Sequence, residues 1–183
     1  MTKVFISGSR KISRLNADIR TRLDRIMEKS LPVIIGDANG ADKTVQMYLR
    51  DQGYRPVEVF CVGRECRNNV GAWPVRRIAP NGNRRNFDFY ASKDRVMARE
   101  ASFGLMIWDG KSLGTLMNAQ RLANQEKKLA IYVSPLRKFI DLKTKHDLDE
   151  FVSLYATEVK RRLEDQVEIE KVEEFRQLLA RMA

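Results

Sequence analysis

The sequence predicts an α/β fold, a Rossmann-like open parallel sheet of about five strands with flanking helices and further helices at the C-terminus. Three observations predict it. Short apolar runs rich in β-branched and aromatic residues recur between Gly, Asp or Pro. Segments with helical spacing lie between most of them. The runs are apolar throughout instead of alternating, as expected of strands buried on both faces. Strand and helix in alternation favour a parallel sheet with right-handed crossovers, so the carboxyl ends of the strands share one edge.

Taken in order, the strand-like runs are Val4 to Ile6, Val33 to Ile35, Val57 to Val62, Leu105 to Trp108 and Leu129 to Val133. Helices are predicted over Leu15 to Lys29, Ala41 to Asp51, Ser92 to Phe103 and Thr115 to Glu126. In the first helix, Leu15, Ile19, Leu23, Ile26 and Met27 recur every three or four residues, the stripe a helix lays against a sheet. The interval from Gly63 to Ala91 breaks the rhythm. It is polar, basic and rich in Asn, Gly and Pro, far longer than an ordinary connection, and reads as a functional loop. Its aromatics Trp73, Phe87, Phe89 and Tyr90 argue against plain disorder. After Pro135 the pattern becomes helical: Asp147 with Glu150 reads as a capping box ahead of a stripe of Phe151, Val152, Tyr155, Val159 and Leu163. A second stripe of Ile169, Val172, Phe175, Leu179 and Met182 follows. These C-terminal helices are expected to cover the sheet or to pair with a second copy in a homo-oligomer.

At 183 residues the chain is long enough to bury a core without disulfides or a structural metal. Cys61 and Cys66 are not spaced as C-x-x-C, and with a single His no protein-ligated metal is expected. No apolar run reaches the roughly 20 residues that span a bilayer, and the N-terminus has no signal-peptide pattern, so a cytoplasmic protein without a membrane partner is expected. The 34 Lys and Arg outnumber the 24 Asp and Glu, and the whole excess lies before Pro135. The stretch from Arg64 to Arg99 alone carries a surplus of +6, with Arg64, Arg67, Arg76, Arg77, Arg84 and Arg85 in the long loop. Such a field attracts phosphates, on a free nucleotide or along a nucleic acid.

Three strand ends carry the informative residues. The first is Gly8-Ser9-Arg10, where Gly8 admits close backbone approach, Ser9 offers a hydroxyl and Arg10 a fork for phosphate or carboxylate. The second, Gly36-Asp37-Ala38-Asn39-Gly40-Ala41-Asp42, opens a helix whose first N–H groups suit an anion. The third, Asp109-Gly110-Lys111-Ser112-Leu113-Gly114-Thr115, repeats that arrangement. On one edge of an open parallel sheet they would converge on one crevice. None matches G-x-G-x-x-G or G-x-x-x-x-G-K-[ST], so neither a standard dinucleotide fingerprint nor a Walker-type ATPase is supported.

With Asp94 and Met97 between the second and third turns, this order resembles the SLOG superfamily. That group of Rossmann-like domains includes the DprA/Smf DNA-processing proteins and the Lonely Guy phosphoribohydrolases. The resemblance covers about residues 3 to 135. It implies a nucleotide-binding domain over 1–135 with a basic loop at 63–91, followed by a helical extension at 136–183. It further implies a nucleotide or nucleotide-derived ligand held by Gly8, Ser9, Arg10, Gly36, Asp37, Gly40, Ala41, Asp42, Asp109, Gly110, Ser112, Gly114 and Thr115, with no further cofactor. Lonely Guy enzymes carry Gly-Gly-x-Gly-Thr-x-x-Glu, whose Glu assists cleavage of an N-glycosidic bond; here Asn118 stands in the place of that acid. A hydrolase would take its carboxylate from Asp37, Asp42, Asp94, Glu100 or Asp109.

Three readings follow. The first is a domain that senses or sequesters a nucleotide-derived ligand. The second is a nucleotide N-glycosidase. The third is a DprA-like surface for a single nucleic acid strand, where Phe87, Phe89 and Tyr90 would stack on bases. His146 reads as a surface residue, and Trp108 as packing at the end of its strand.

Overall fold

The computed structural model describes residues 2–80 and 87–164. It is a seven-stranded sheet in the order β4-β3-β2-β1-β5-β6-β7. The strands are β1 (Val4–Gly8), β2 (Val33–Gly36), β3 (Val57–Val62), β4 (Val75–Ile78), β5 (Phe103–Trp108), β6 (Leu129–Val133) and β7 (Lys138–Leu142). The first six are mutually parallel, and β7 runs antiparallel to β6. The helices are α1 (Ala17–Glu28), α2 (Ala41–Asp51), α3 (Phe87–Glu100), α4 (Leu113–Ala123) and α5 (Lys145–Glu164).

Both faces of the sheet are covered, so each strand sends alternate side chains into two cores. Val4, Ile6, Ile35, Val59 and Ile107 face one core with Ile19 and Leu23 of α1 and Val45 and Leu49 of α2. Phe5, Ile34, Phe60, Met106 and Ile131 face the other with Met97 of α3, Leu122 of α4 and Leu148 and Phe151 of α5. α1 is capped by Asn16, whose Oδ1 accepts the Ile19 N–H at 3.1 Å.

The sheet has seven strands where about five were expected, and both additions are at its edges. In β4, Arg76 and Arg77 occupy the middle of a four-residue strand, so it does not read as an apolar run. Charge on an edge strand blunts pairing with other chains, and the same charge hides the strand in the sequence. β7 is likewise only partly buried. The interval expected as a loop to Ala91 therefore contains a strand, and α3 begins at Phe87, five residues before the expected start. The segment after Pro135 is not purely helical: β7 closes the sheet, and α5 covers it through Phe151 and Tyr155, whose rings lie 5.7 and 5.9 Å from Trp108. The capping box sits one turn earlier than the sequence suggested. Thr144 Oγ1 accepts the Asp147 N–H at 3.1 Å, and Asp147 Oδ2 accepts the Thr144 N–H at 3.1 Å. The stripe from Ile169 to Met182 lies outside the described residues. Among the described residues, no helix is long and apolar enough to cross a membrane.

Candidate functional site

The strand order reverses between β1 and β5, and the carboxyl ends of these two strands mark the switch point where open α/β sheets form their crevice. Gly8 ends β1 there. A Cβ on it would lie 2.5 Å from the Ile107 carbonyl oxygen and 2.6 Å from the Ala41 Cβ, so only glycine lets β5 and α2 close around this turn. The turn continues into Ser9, fully buried, whose carbonyl accepts the Ala41 N–H at 3.1 Å. Its Oγ accepts the Asp109 N–H at 3.1 Å and lies 3.3 Å from Thr115 Oγ1. Ser9 thus ties together all three glycine-bearing turns. Gly40 adopts φ +84, and a Cβ there would collide with the Arg10 backbone. The close approach of the first and second turns requires it.

Beneath these turns lies a buried ionic cluster. Asp37, 2% exposed, follows β2. Its Oδ1 accepts from Arg67 Nη2 at 2.6 Å, and its Oδ2 accepts from Arg67 Nε and the Arg67 N–H, each at 3.1 Å. Burial pushes the Asp37 carboxyl up, but the Arg67 hydrogen bonds and the charges of Lys93 and Arg67 outweigh it and hold the group below its ordinary value. Asp42, on the first turn of α2, is also buried; its Oδ2 accepts the Ala38 N–H at 3.2 Å. Its Oδ1 has no hydrogen-bond partner among the described residues. Burial is the main influence and the neighbouring Lys93 opposes it, leaving the carboxyl raised to about 6.

Lys93 enters from α3 and is 4% exposed. Its Nζ donates to Asp94 Oδ1 at 2.7 Å. A Cβ on Gly36 would lie 2.7 Å from that Nζ and 2.5 Å from Asp42 Oδ2, so this glycine makes room for the pair. Burial disfavours the ammonium, yet Asp94 and Asp42 more than compensate and raise its pKa. Asp94 Oδ2 also accepts from Asn118 Nδ2 at 3.4 Å, and the same amide donates to Ser7 Oγ at 3.0 Å. The Asn118 Oδ1 accepts from Arg121 at 2.6 Å. Asn118 is thereby an amide bridge between β1, α3 and α4.

Two helix N-termini face this edge. Gly40 caps α2 and Ser112 caps α4, and neither supplies a side-chain cap bond. The third turn is held from within: Asp109 Oδ1 accepts the Lys111 and Ser112 N–H groups at 2.9 and 2.8 Å, and Trp108 Nε1 donates to the Ser112 carbonyl at 3.1 Å. Gly110 turns with φ +84 against Pro135.

The structure brings Gly8, Ser9, Gly36, Asp37, Gly40, Ala41, Asp42, Asp94, Asp109, Ser112 and Thr115 to one sheet edge, joined by the contacts above. Arg10 stands exposed beside them, its guanidinium carbon 5.7 Å from the centre of the Tyr90 ring. Glu100 is elsewhere. It ends α3 at the opposite, amino edge and pairs with Lys3 at 3.0 Å and with Arg76. On α3 it lies six residues beyond Asp94, about 9 Å further along the helix axis.

The basic loop is not a uniform fringe of cations. Arg67 turns inward to Asp37 and also lies 4.6 Å from the Tyr90 ring centre. Arg76 pairs with Glu58 and Glu100, and Arg77 Nε donates to the Arg64 carbonyl at 3.1 Å. Arg84 and Arg85 lie outside the described residues. Trp73 is core, donating Nε1 to the Tyr54 carbonyl at 2.9 Å. Cys61 and Cys66 are joined as a disulfide, their Cα atoms 5.3 Å apart. Their spacing argued only against a C-x-x-C pair, and the turn at Gly63, φ +82, brings them together.

Sequence reasoning passed over Lys93, Asn68, Gln46 and Ser7. Asn68 Nδ2 donates to the Asp37 carbonyl at 2.8 Å, and Gln46 Nε2 to the Gly36 carbonyl at 2.8 Å. A signal existed for two of them. Lys93 lies four residues before the buried Met97, and Gln46 falls between the buried Val45 and Leu49, so each is a polar residue on an apolar stripe. Comparison of the chain with protein-family models and with curated proteins finds no match.

Proposed function

We propose that the carboxyl edge binds a nucleotide or nucleotide-derived ligand, and that the domain senses or sequesters it. One observation carries this reading: Asp42 Oδ1, on the first turn of α2, is buried and without a partner among the described residues. A buried acceptor left unsatisfied costs about 1–3 kcal/mol, and a ligand hydroxyl or amine would remove that cost. The start of α4, where Ser112 supplies no side-chain cap bond, is a natural partner of phosphate oxygens. Arg10 adds charge at the rim. Asn118 in place of a glutamate puts binding ahead of hydrolysis.

The test is a thermal-shift panel of nucleoside monophosphates and NAD on the whole protein, with chromatography for released base. A ligand that raises Tm, releases no base and loses its effect in Asp42→Asn is the expected result. No shift across the panel, or an equal shift in Asp42→Asn, overturns the reading.

A second reading, cleavage of an N-glycosidic bond, draws on the same carboxylate. A group raised to about 6 exchanges protons near neutrality, as a general acid or base must, and Asp94 offers a second carboxylate beside it. Base release that depends on Asp42 and Asp94 would establish this reading in place of the first.

A further inference from the structure

At the amino edge of the sheet, remote from the turns just described, the structure holds a cavity of about 440 Å³. Its floor is apolar, built from Val4, Ile26, Leu31, Leu105, Leu129 and Leu142. Phe103, at the start of β5, lines its mouth and is 41% exposed. Around this apolar bowl stand Arg25 and Lys29 from the end of α1, Lys128 before β6 and Lys143 after β7. None of these four forms an ion pair among the described residues. The fifth cation, Arg22, is the one with a carboxylate, Asp141 at 3.5 Å, and its guanidinium also lies 4.7 Å from the Phe139 ring centre.

Two features distinguish this place from an ordinary solvated surface. Cations drawn from three separate elements ring one apolar hollow with a single acid among them, an arrangement that repels itself until an anion arrives. The volume falls within the range of small-molecule sites, and a lining mostly apolar with a few charged groups is their usual composition. From this we infer that the amino-edge cavity binds a free amphiphilic anion, an acyl or comparable apolar chain with a carboxylate head. The chain would lie against Ile26, Leu105 and Leu129, and the head would sit among Lys29, Lys128 and Lys143. The site is independent of the nucleotide reading.

The experiment is isothermal titration of the whole protein with decanoate below its self-association concentration, beside hexanoate, decanol and anionic phospholipid vesicles. One decanoate per chain is expected, with hexanoate and decanol each at least about tenfold weaker, since each buried methylene contributes about fourfold and the head contributes the charge. Lys29→Glu combined with Lys128→Glu should weaken decanoate at least about tenfold, and Lys143→Ser should weaken it by less. These substitutions are at exposed positions, and circular dichroism of each variant checks the fold. Any nucleotide-induced shift in Tm should survive them. Equal binding of decanol and decanoate, binding unchanged in the charge-reversed variant, absence of decanoate binding, or binding to vesicles in place of free decanoate would each overturn the inference.

Discussion

Arg67 grips Asp37 with its guanidinium and its own backbone N–H, so that three hydrogen bonds converge on one buried carboxylate. The contact ties the segment after β3 to the end of β2 and fixes one wall of the crevice. Removing the arginine leaves a buried carboxylate short of donors. Arg67→Ala is expected to lower the unfolding free energy by about 2–4 kcal/mol in urea titrations. Arg67→Lys should recover only part of this, because an ammonium cannot occupy both carboxylate oxygens with a planar fork. Stability within about 0.5 kcal/mol of wild type for Arg67→Ala would mean the pair holds nothing.

Asp37 and Asp42 act on stability in opposite directions as pH changes. Asp42 is raised to about 6 in the fold, against about 4 in the unfolded chain. Between those values the native state holds a proton that the unfolded chain has released, so stability declines as pH rises through this window. Asp37 is lowered, so its contribution is present above about 4 and is lost as pH falls through its native value. Asp42→Asn should therefore gain on the order of 1–3 kcal/mol over wild type between about pH 4.5 and about pH 7.5, while the acid limb from Asp37 remains. Parallel pH profiles for the two proteins would show that Asp42 does not titrate in this range.

Lys93 is the counter-charge of the cluster. Lys93→Met keeps most of the length of the side chain and removes the ammonium, leaving Asp94 and Asp42 without it. A loss of about 3–5 kcal/mol is expected, measured by chemical denaturation near neutral pH. Part of that loss should return in acid, where the raised Asp42 carboxyl takes up a proton. A loss that does not change with pH would assign the effect to packing alone.

Gly40→Ala tests the turn that joins the first two strand ends. Its φ of +84 disfavours any side chain, and the added Cβ would strike the Arg10 backbone. A destabilisation of more than about 1 kcal/mol is expected, together with a smaller nucleotide-induced rise in Tm, since Arg10 and the start of α2 would be displaced. Full retention of both would mean that the turn is not a determinant of the crevice.

Thr144→Ala removes the cap of α5 and is expected to cost about 1 kcal/mol by thermal or urea unfolding, with no change at the carboxyl edge. Glu150→Gln should cost less, because the box is made by Thr144 and Asp147. The reverse order would restore the assignment that the sequence favoured.

Much of this molecule is legible in the chain alone because its signals are local. The runs Val57–Val62 and Leu129–Val133 and the helix Ala41–Asp51 are found at the bounds the sequence predicts, since apolar periodicity and flanking turn residues both mark them. β4 escaped for the opposite reason: Arg76 and Arg77 look like loop, and only pairing with β3 makes them strand. Trp73 likewise read as an aromatic in a basic loop and became core through Tyr54.

The sequence by itself determined the layered α/β architecture and the glycine-bearing turns, because backbone sterics and burial are written into short stretches. Tertiary structure alone decided which charges meet. Arg67 reaches Asp37 across 30 residues, Asn118 reaches Ser7 across 111, and Glu100, although only six residues beyond Asp94, faces the far edge. A side chain's electrostatic partner depends on crossovers and strand order, which no local window contains, so the ionic cluster and the unpartnered oxygen of Asp42 emerge only when the sheet is assembled.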